Sequence, residues 1–160
     1  MGTLAPDRRG VVMRLHCSFV TAATPEQVID AYTDFSARRL DVWRDTLSPD
    51  RYALLDSGPG WAVVREGSPG SAAVLRYAWG EPGLVTWTLV ESTFCRAGAG
   101  RLEVRPAGSG SRVEIRVEEH GPAGAAGWVV LALKGLLGPA VLRRTARRTL
   151  DRLATGPAAA

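Results

Sequence analysis

Residues 72–93 read AAVLRYAWGEPGLVTWTLVEST. Two alternating runs flank Glu81-Pro82-Gly83. In the first, Leu75, Tyr77 and Trp79 share a face, with Arg76 opposite. In the second, Val85, Trp87 and Leu89 share a face, with Thr86, Thr88 and Ser92 opposite. A period of two is that of a half-buried strand, and so short a Gly/Pro break forces an antiparallel hairpin. The segment therefore predicts a hairpin with one aromatic face. If the second strand keeps its phase, Glu91 falls on that face too, where a carboxylate needs a partner or a hydrated cavity. Otherwise it sits solvated at the strand end.

The same pattern extends both ways. Strands are predicted at 51–57, 60–67, 99–106 and 111–119, as well as 72–80 and 84–94. The breaks are Ser57-Gly58-Pro59-Gly60, Ser68-Pro69-Gly70, Arg96-Ala97-Gly98 and Ala107-Gly108-Ser109-Gly110. Leu102 and Val104 oppose Arg101, Glu103 and Arg105; Val113, Ile115 and Val117 oppose Arg112, Glu114, Arg116 and Glu118. Connections this short make a meander. Upstream, 12–23 reads as a strand. Thr24 caps a helix with Pro25 at its first position and Gln27 completing a capping box. That helix runs to about Phe35, with Val28, Ala31, Tyr32 and Phe35 on one face, and a second short piece spans 36–43. After Gly121 the pattern is helical to about Leu153, and Pro139 should kink or split it. The order predicts an α+β domain with helices packed on an antiparallel sheet. Residues 11–154 form one domain between loose ends at 1–10 and 155–160.

The long helix covers the aromatic face. Leu142, Ala146, Leu150 and Leu153 fall in one arc, and a straight extension adds Trp128, Leu131, Ala132 and Gly135. Residues 128–137, WVVLALKGLL, are apolar almost all round, but are too short and interrupted to span a bilayer. A kink, loop cover, a dimer contact, or a gate touching a membrane or partner would each account for them.

Composition narrows the function classes. The chain has 160 residues, 46% hydrophobic and 22% charged, as in a globular domain. The net charge is +4 and the pI about 9.7, yet the excess is local. Residues 121–160 hold Lys134, Arg143, Arg144, Arg147, Arg148 and Arg152 against Asp151 alone. The stripe lacks the interleaved aromatics of a nucleic-acid surface, so no nucleic-acid partner is expected. It reads as a solvated helix C-terminus, or secondarily as a contact for acidic lipid or protein. One Lys, 19 Arg and no Asn fit a GC-rich bacterial genome. Cys17 and Cys95 are too few for a disulfide scaffold, and no apolar leader is visible; a cytoplasmic chain is expected. His16 and Cys17 are neighbours on a strand and point apart, so no metal is expected. Neither G-x-S-x-G nor a phosphate-cradling loop occurs. Glu91 and Tyr77 are the acid/base candidates, with Arg65 and Asp56 behind them.

Certain residues carry a family likeness. Ala23-Thr24-Pro25-Glu26-Gln27-Val28, Thr33-Asp34, Trp43, Val85-Thr86-Trp87, Gly110-Ser111-Arg112-Val113 and the closing Arg147-Arg148-Thr149-Leu150-Asp151-Arg152-Leu153 resemble the START/Bet v 1-like superfamily (SRPBCC), in its polyketide cyclase/dehydrase-like branch. The chain departs at Phe35, where the family often has Pro, and at Gly135/Pro139. The resemblance covers residues 13–153. It implies a helix-grip: a curved seven-stranded antiparallel sheet around a long C-terminal helix, with two short helices after strand 1. It also implies a cavity for an apolar small molecule; no cofactor is expected.

The expected lining is Tyr32, Trp43, Leu75, Tyr77, Trp79, Trp87, Leu89, Glu91, Val104, Ile115, Trp128 and Leu131. Binding or transport of a polyketide-, lipid- or isoprenoid-like molecule is the preferred function. The alternatives are a polyketide cyclase/dehydratase in the same cavity, and an interaction module acting through the basic helix. A homodimer or a protein or lipid contact would use residues 128–152.

Overall fold

The computed structural model describes residues 11–68 and 71–156; of the loose ends expected at 1–10 and 155–160, residues 1–10 and 157–160 lie outside them, while Thr155 and Gly156 close the last helix instead. Strand β1 (Val11–Thr21) leads into α1 (Pro25–Thr33) and α2 (Arg38–Val42). A short 3-10 turn at Pro49–Arg51 precedes β2 (Ala53–Gly58), β3 (Trp61–Ser68), β4 (Ser71–Trp79), β5 (Leu84–Ser92), β6 (Cys95–Ala107) and β7 (Gly110–Pro122). The last element is α3 (Gly124–Thr155). All seven strands form one antiparallel sheet in the order β1-β7-β6-β5-β4-β3-β2. This is the helix-grip, as expected.

Local chemistry explains the first helix. Thr24 accepts from the Gln27 backbone N–H, and the Gln27 side chain accepts from the Thr24 N–H at 2.9 Å, closing the capping box. Val28, Ala31, Tyr32 and Phe35 are buried as the periodicity predicts. On the sheet, Val85, Leu102, Val104, Val113 and Ile115 are buried too.

Three expectations change. First, Arg96-Ala97-Gly98 is not a turn. β6 starts at Cys95, and residues 95–98 pair with β7 rather than β5. Second, Pro139 does not split the long helix, which is one element over 32 residues. It therefore contains a window of mean hydropathy 1.7, apolar and long enough by composition to cross a membrane, contrary to the sequence expectation. Third, the inward stripe at its N-terminal end is rotated by one residue. Gly127 and Leu131 are buried, whereas Trp128 is 56% exposed and Ala132 is exposed. The cause is close approach: a Cβ on Gly127 would stand 2.5 Å from the Phe94 carbonyl oxygen, so only glycine lets the helix start there. Trp128, one position on, is carried to the outside.

Candidate functional site

Between the concave face of the sheet and the middle of α3 lies an open-mouthed cavity of about 480 Å³. Its walls come from β1 (Met13, Leu15), the inner residues of β4 and β5 (Leu75, Tyr77, Trp87, Leu89), β7 (Ile115, Val117) and α3 (Gly138, Val141, Leu142). Gly100 shapes the floor. It pairs with Trp87 across β5 and β6, and a Cβ there would stand 2.1 Å from the indole. The missing side chain leaves room for the Trp87 ring over Gly100.

The charged residues of this lining, Glu66, Glu119 and Lys134, fall in two clusters. The first joins Glu66, Tyr77 and Arg39. Arg39 Nε donates to Glu66 Oε1 at 2.9 Å, Arg39 Nη2 lies 2.8 Å from the same oxygen, and the Tyr77 hydroxyl donates to Oε2 at 3.1 Å. The guanidinium stands 4.3 Å from the Phe35 ring centroid and also donates to the Tyr32 carbonyl oxygen. Arg39 is only 4% exposed, so its charge is held by the carboxylate and two aromatic faces. Burial, and next the Glu66 carboxylate, push the Tyr77 phenol well above its ordinary value. Tyr77 is thus a fixed donor at neutral pH, with its proton directed at Glu66.

The second cluster is Glu119 on β7 with Lys134 on α3. Their side chains meet at 2.5 Å through Oε1, and the ammonium lies 4.3 Å from the Phe94 ring centroid. Glu119 Oε2 is buried and has no hydrogen-bond partner among the described residues. Glu119 lines the cavity, and a buried carboxylate oxygen without a partner is an acceptor for a donor group that reaches it.

The structure therefore brings together Tyr32, Leu75, Tyr77, Trp87, Leu89 and Ile115 of the expected lining. It places the other six elsewhere. Trp43 is core: its indole N–H donates to the Ala31 carbonyl at 2.8 Å, and its ring meets Tyr32 edge-on. Trp79 and Val104 border a shallow cleft near Pro25 and Ile29, at another part of the sheet. Leu131 is buried with Met13, Phe94 and Cys95 beside the cavity. Trp128 faces outward. Glu91 is exposed because the β4–β5 register skips Val90: Leu89 pairs with Leu75, but Glu91 pairs with Val74. This bulge turns the strand end over, so the condition for an inward Glu91 fails. Arg65 and Asp56 are also exposed.

Sequence reading missed Glu66, Glu119 and Lys134. Glu66 lies in a predicted strand, but its partner Arg39 is 27 residues away and no local pattern links them. Glu119 lies on β7 two residues after Val117 and shares its side of the strand, so the alternation itself signals an inward carboxylate. Cys17 is buried, and burial pushes its thiol up, away from reactivity.

Compared with known families, residues 14–156 match the model described as "Polyketide cyclase / dehydrase and lipid transport". The chain belongs to this family. Solved structures agree on the fold. A START superfamily protein from Mycobacterium smegmatis superposes with TM-score 0.68 at 14% identity, covering 88% of this chain and 98% of that one. The Zhui aromatase/cyclase from Streptomyces sp. R1128 gives TM-score 0.67 at 14% identity, covering 87% and 93%. Norcoclaurine synthase from Thalictrum flavum, solved with dopamine and hydroxybenzaldehyde, gives 0.67 at 12% identity with full coverage of both chains. No curated protein sequence matches the chain. At these identities the likeness shows the family's helix-grip fold and nothing finer about this member.

Proposed function

We propose that the chain binds an apolar small molecule in the cavity between sheet and α3, holding it by shape and aromatic contact and orienting it through one polar end. The observation that carries this reading is the lining itself: an apolar wall of aromatic and aliphatic side chains with two carboxylates in it, one of them with a free buried oxygen. A ligand with a hydroxyl or phenol at one end would donate to Glu119 Oε2, while Glu66 is already occupied by Arg39 and Tyr77. Polyketide-, lipid- and isoprenoid-like molecules meet this description. The two buried thiols suit a cytoplasmic setting.

A second reading is cyclisation or dehydration of a polyketide-like substrate in the same cavity. The same Glu119 oxygen favours it, because a carboxylate facing an apolar site is a proton acceptor. The test is native mass spectrometry of protein purified from its own host, followed by incubation with the extracted molecule. Binding predicts a co-purifying small molecule recovered unchanged; turnover predicts loss of water or a new ring. A Leu75→Trp variant that fills the cavity must lose the ligand. If protein from the host carries nothing, and no apolar hydroxylated aromatic raises its melting temperature, the binding reading fails.

A further inference from the structure

The outward side of α3 changes character along its length. Trp128, Val129, Leu133, Leu136, Leu137 and Val141 are each more than half exposed, and Leu136 is 78% exposed. Beyond them come Arg143, Arg144, Arg147 and Arg148, all exposed. At 100° per residue, Val129, Leu133, Leu136 and Leu137 centre on the same direction as the four arginines. The face therefore passes from apolar to cationic along the axis without turning around the helix. Arg147 pairs with Asp151 at 3.4 Å. Among the described residues no carboxylate lies within 4.0 Å of Arg143, Arg144 or Arg148.

We propose that this face docks the protein on an anionic lipid bilayer. The apolar half lies at the acyl boundary and the arginine half lies among the lipid phosphates. Charge complementarity selects this occupant. A bilayer rich in anionic lipid stacks a phosphate layer over an apolar layer, and a helix that enters at a tilt, N-terminal half first, meets both in the order it presents them. A second copy does not. An antiparallel copy laid on the apolar half would set the arginines against the start of its own α3, and residues 121–150 contain no Asp or Glu. The inner stripe of α3 stays on the sheet, so the helix dips its apolar N-terminal half into the interface at a tilt and does not cross the bilayer.

Docking would also bring the cavity to the lipid boundary. Val141 belongs to the exposed face and lines the cavity, and Lys134 lines it one helical turn before Leu137 and Gly138. The inference does not depend on what the cavity holds.

Flotation of the full chain with vesicles tests it. Vesicles of phosphatidylglycerol and phosphatidylcholine in equal parts should bind at least about tenfold more protein than pure phosphatidylcholine, and added salt should weaken the binding. Leu133→Glu with Leu136→Glu should lower binding by about tenfold or more. Arg143→Gln, Arg144→Gln and Arg148→Gln together should reduce it to the phosphatidylcholine level. Circular dichroism confirms that each variant is folded. Both sets are surface changes, so one remains informative if the other fails to fold. Equal binding to both vesicle types, or binding untouched by either set, overturns the proposal. A dimer that Leu136→Glu dissociates would assign the face to a second copy instead. Capture by polyglutamate but not by vesicles would assign it to an acidic protein.

Discussion

Arg39 and Arg38 are neighbours in sequence with opposite fates. Arg38 is exposed and reaches Asp34 at 3.6 Å, while Arg39 is buried on Glu66. Removing one member of a buried pair costs far more than the pair contributes, because the other charge stays without a partner. Arg39→Met should therefore destabilise the fold by about 3 kcal/mol. Adding Glu66→Gln should restore part of that loss. Urea unfolding of the two variants checks this; an unchanged midpoint for Arg39→Met would show that the cluster carries no stability. At this scale the sequence was only partly legible. Tyr77 and Trp87 could be placed by strand phase alone. Glu91 could not, because one skipped residue, Val90, reverses everything after it. The Arg39–Glu66 contact joins a short helix to a distant strand, and no periodicity reports such a meeting.

Among the elements, α3 holds its place by different chemistry at each end. At its start, a glycine permits backbone contact with Phe94. Near its end, Asp151 receives the Thr21 hydroxyl at 2.6 Å and the Ala22 N–H at 3.0 Å, tying the helix to the close of β1. Burial pushes the Asp151 carboxyl up, but these two hydrogen bonds and Arg147 outweigh it and hold the group below its ordinary value. A depressed folded value means stability that is present above the unfolded value and is lost as pH falls through the folded one. Asp151→Asn should thus cost about 1 kcal/mol near neutral pH, discounted for its partial exposure. The difference from wild type should shrink as pH drops below about 4. Thermal melts of both proteins across that range check it; a constant difference would mean that the charge is not what Thr21 and Ala22 hold. The capping box of α1 and the arc Leu142, Ala146, Leu150 were legible because they are local repeats. The start of α3 was not, because its phase is set by the Phe94 carbonyl in another chain segment.

For the whole molecule, the sheet and α3 frame a cavity between them. A molecule that binds only the folded state adds stability by mass action, about 2.7 kcal/mol at a hundredfold excess over its Kd. For a chain of this size that is a rise in Tm of roughly 5–10 °C. Differential scanning fluorimetry against apolar hydroxylated aromatics should find such shifts, and Glu119→Gln should reduce them for ligands bearing a donor. Shifts that Glu119→Gln leaves unchanged would place the polar end elsewhere. The meander from β2 to β7 was legible from its turns except between β5 and β6, where the connection is Thr93-Phe94 and not 96–98. Closure of the sheet by β1 against β7 was not, since it joins the two ends of the strand sequence.

That closure has a consequence in time. Val11 pairs with His120 and Thr21 with Ser111, so the first strand made is completed by the last. At a synthesis rate of about 5–20 residues per second, β1 waits roughly 5–20 s before β7 has been made. Until then its Leu15, Cys17 and Phe19 side lacks both β7 and α3. Most of the folding barrier should lie in this late, distant pairing, and the nascent chain is most open to misassociation in that interval.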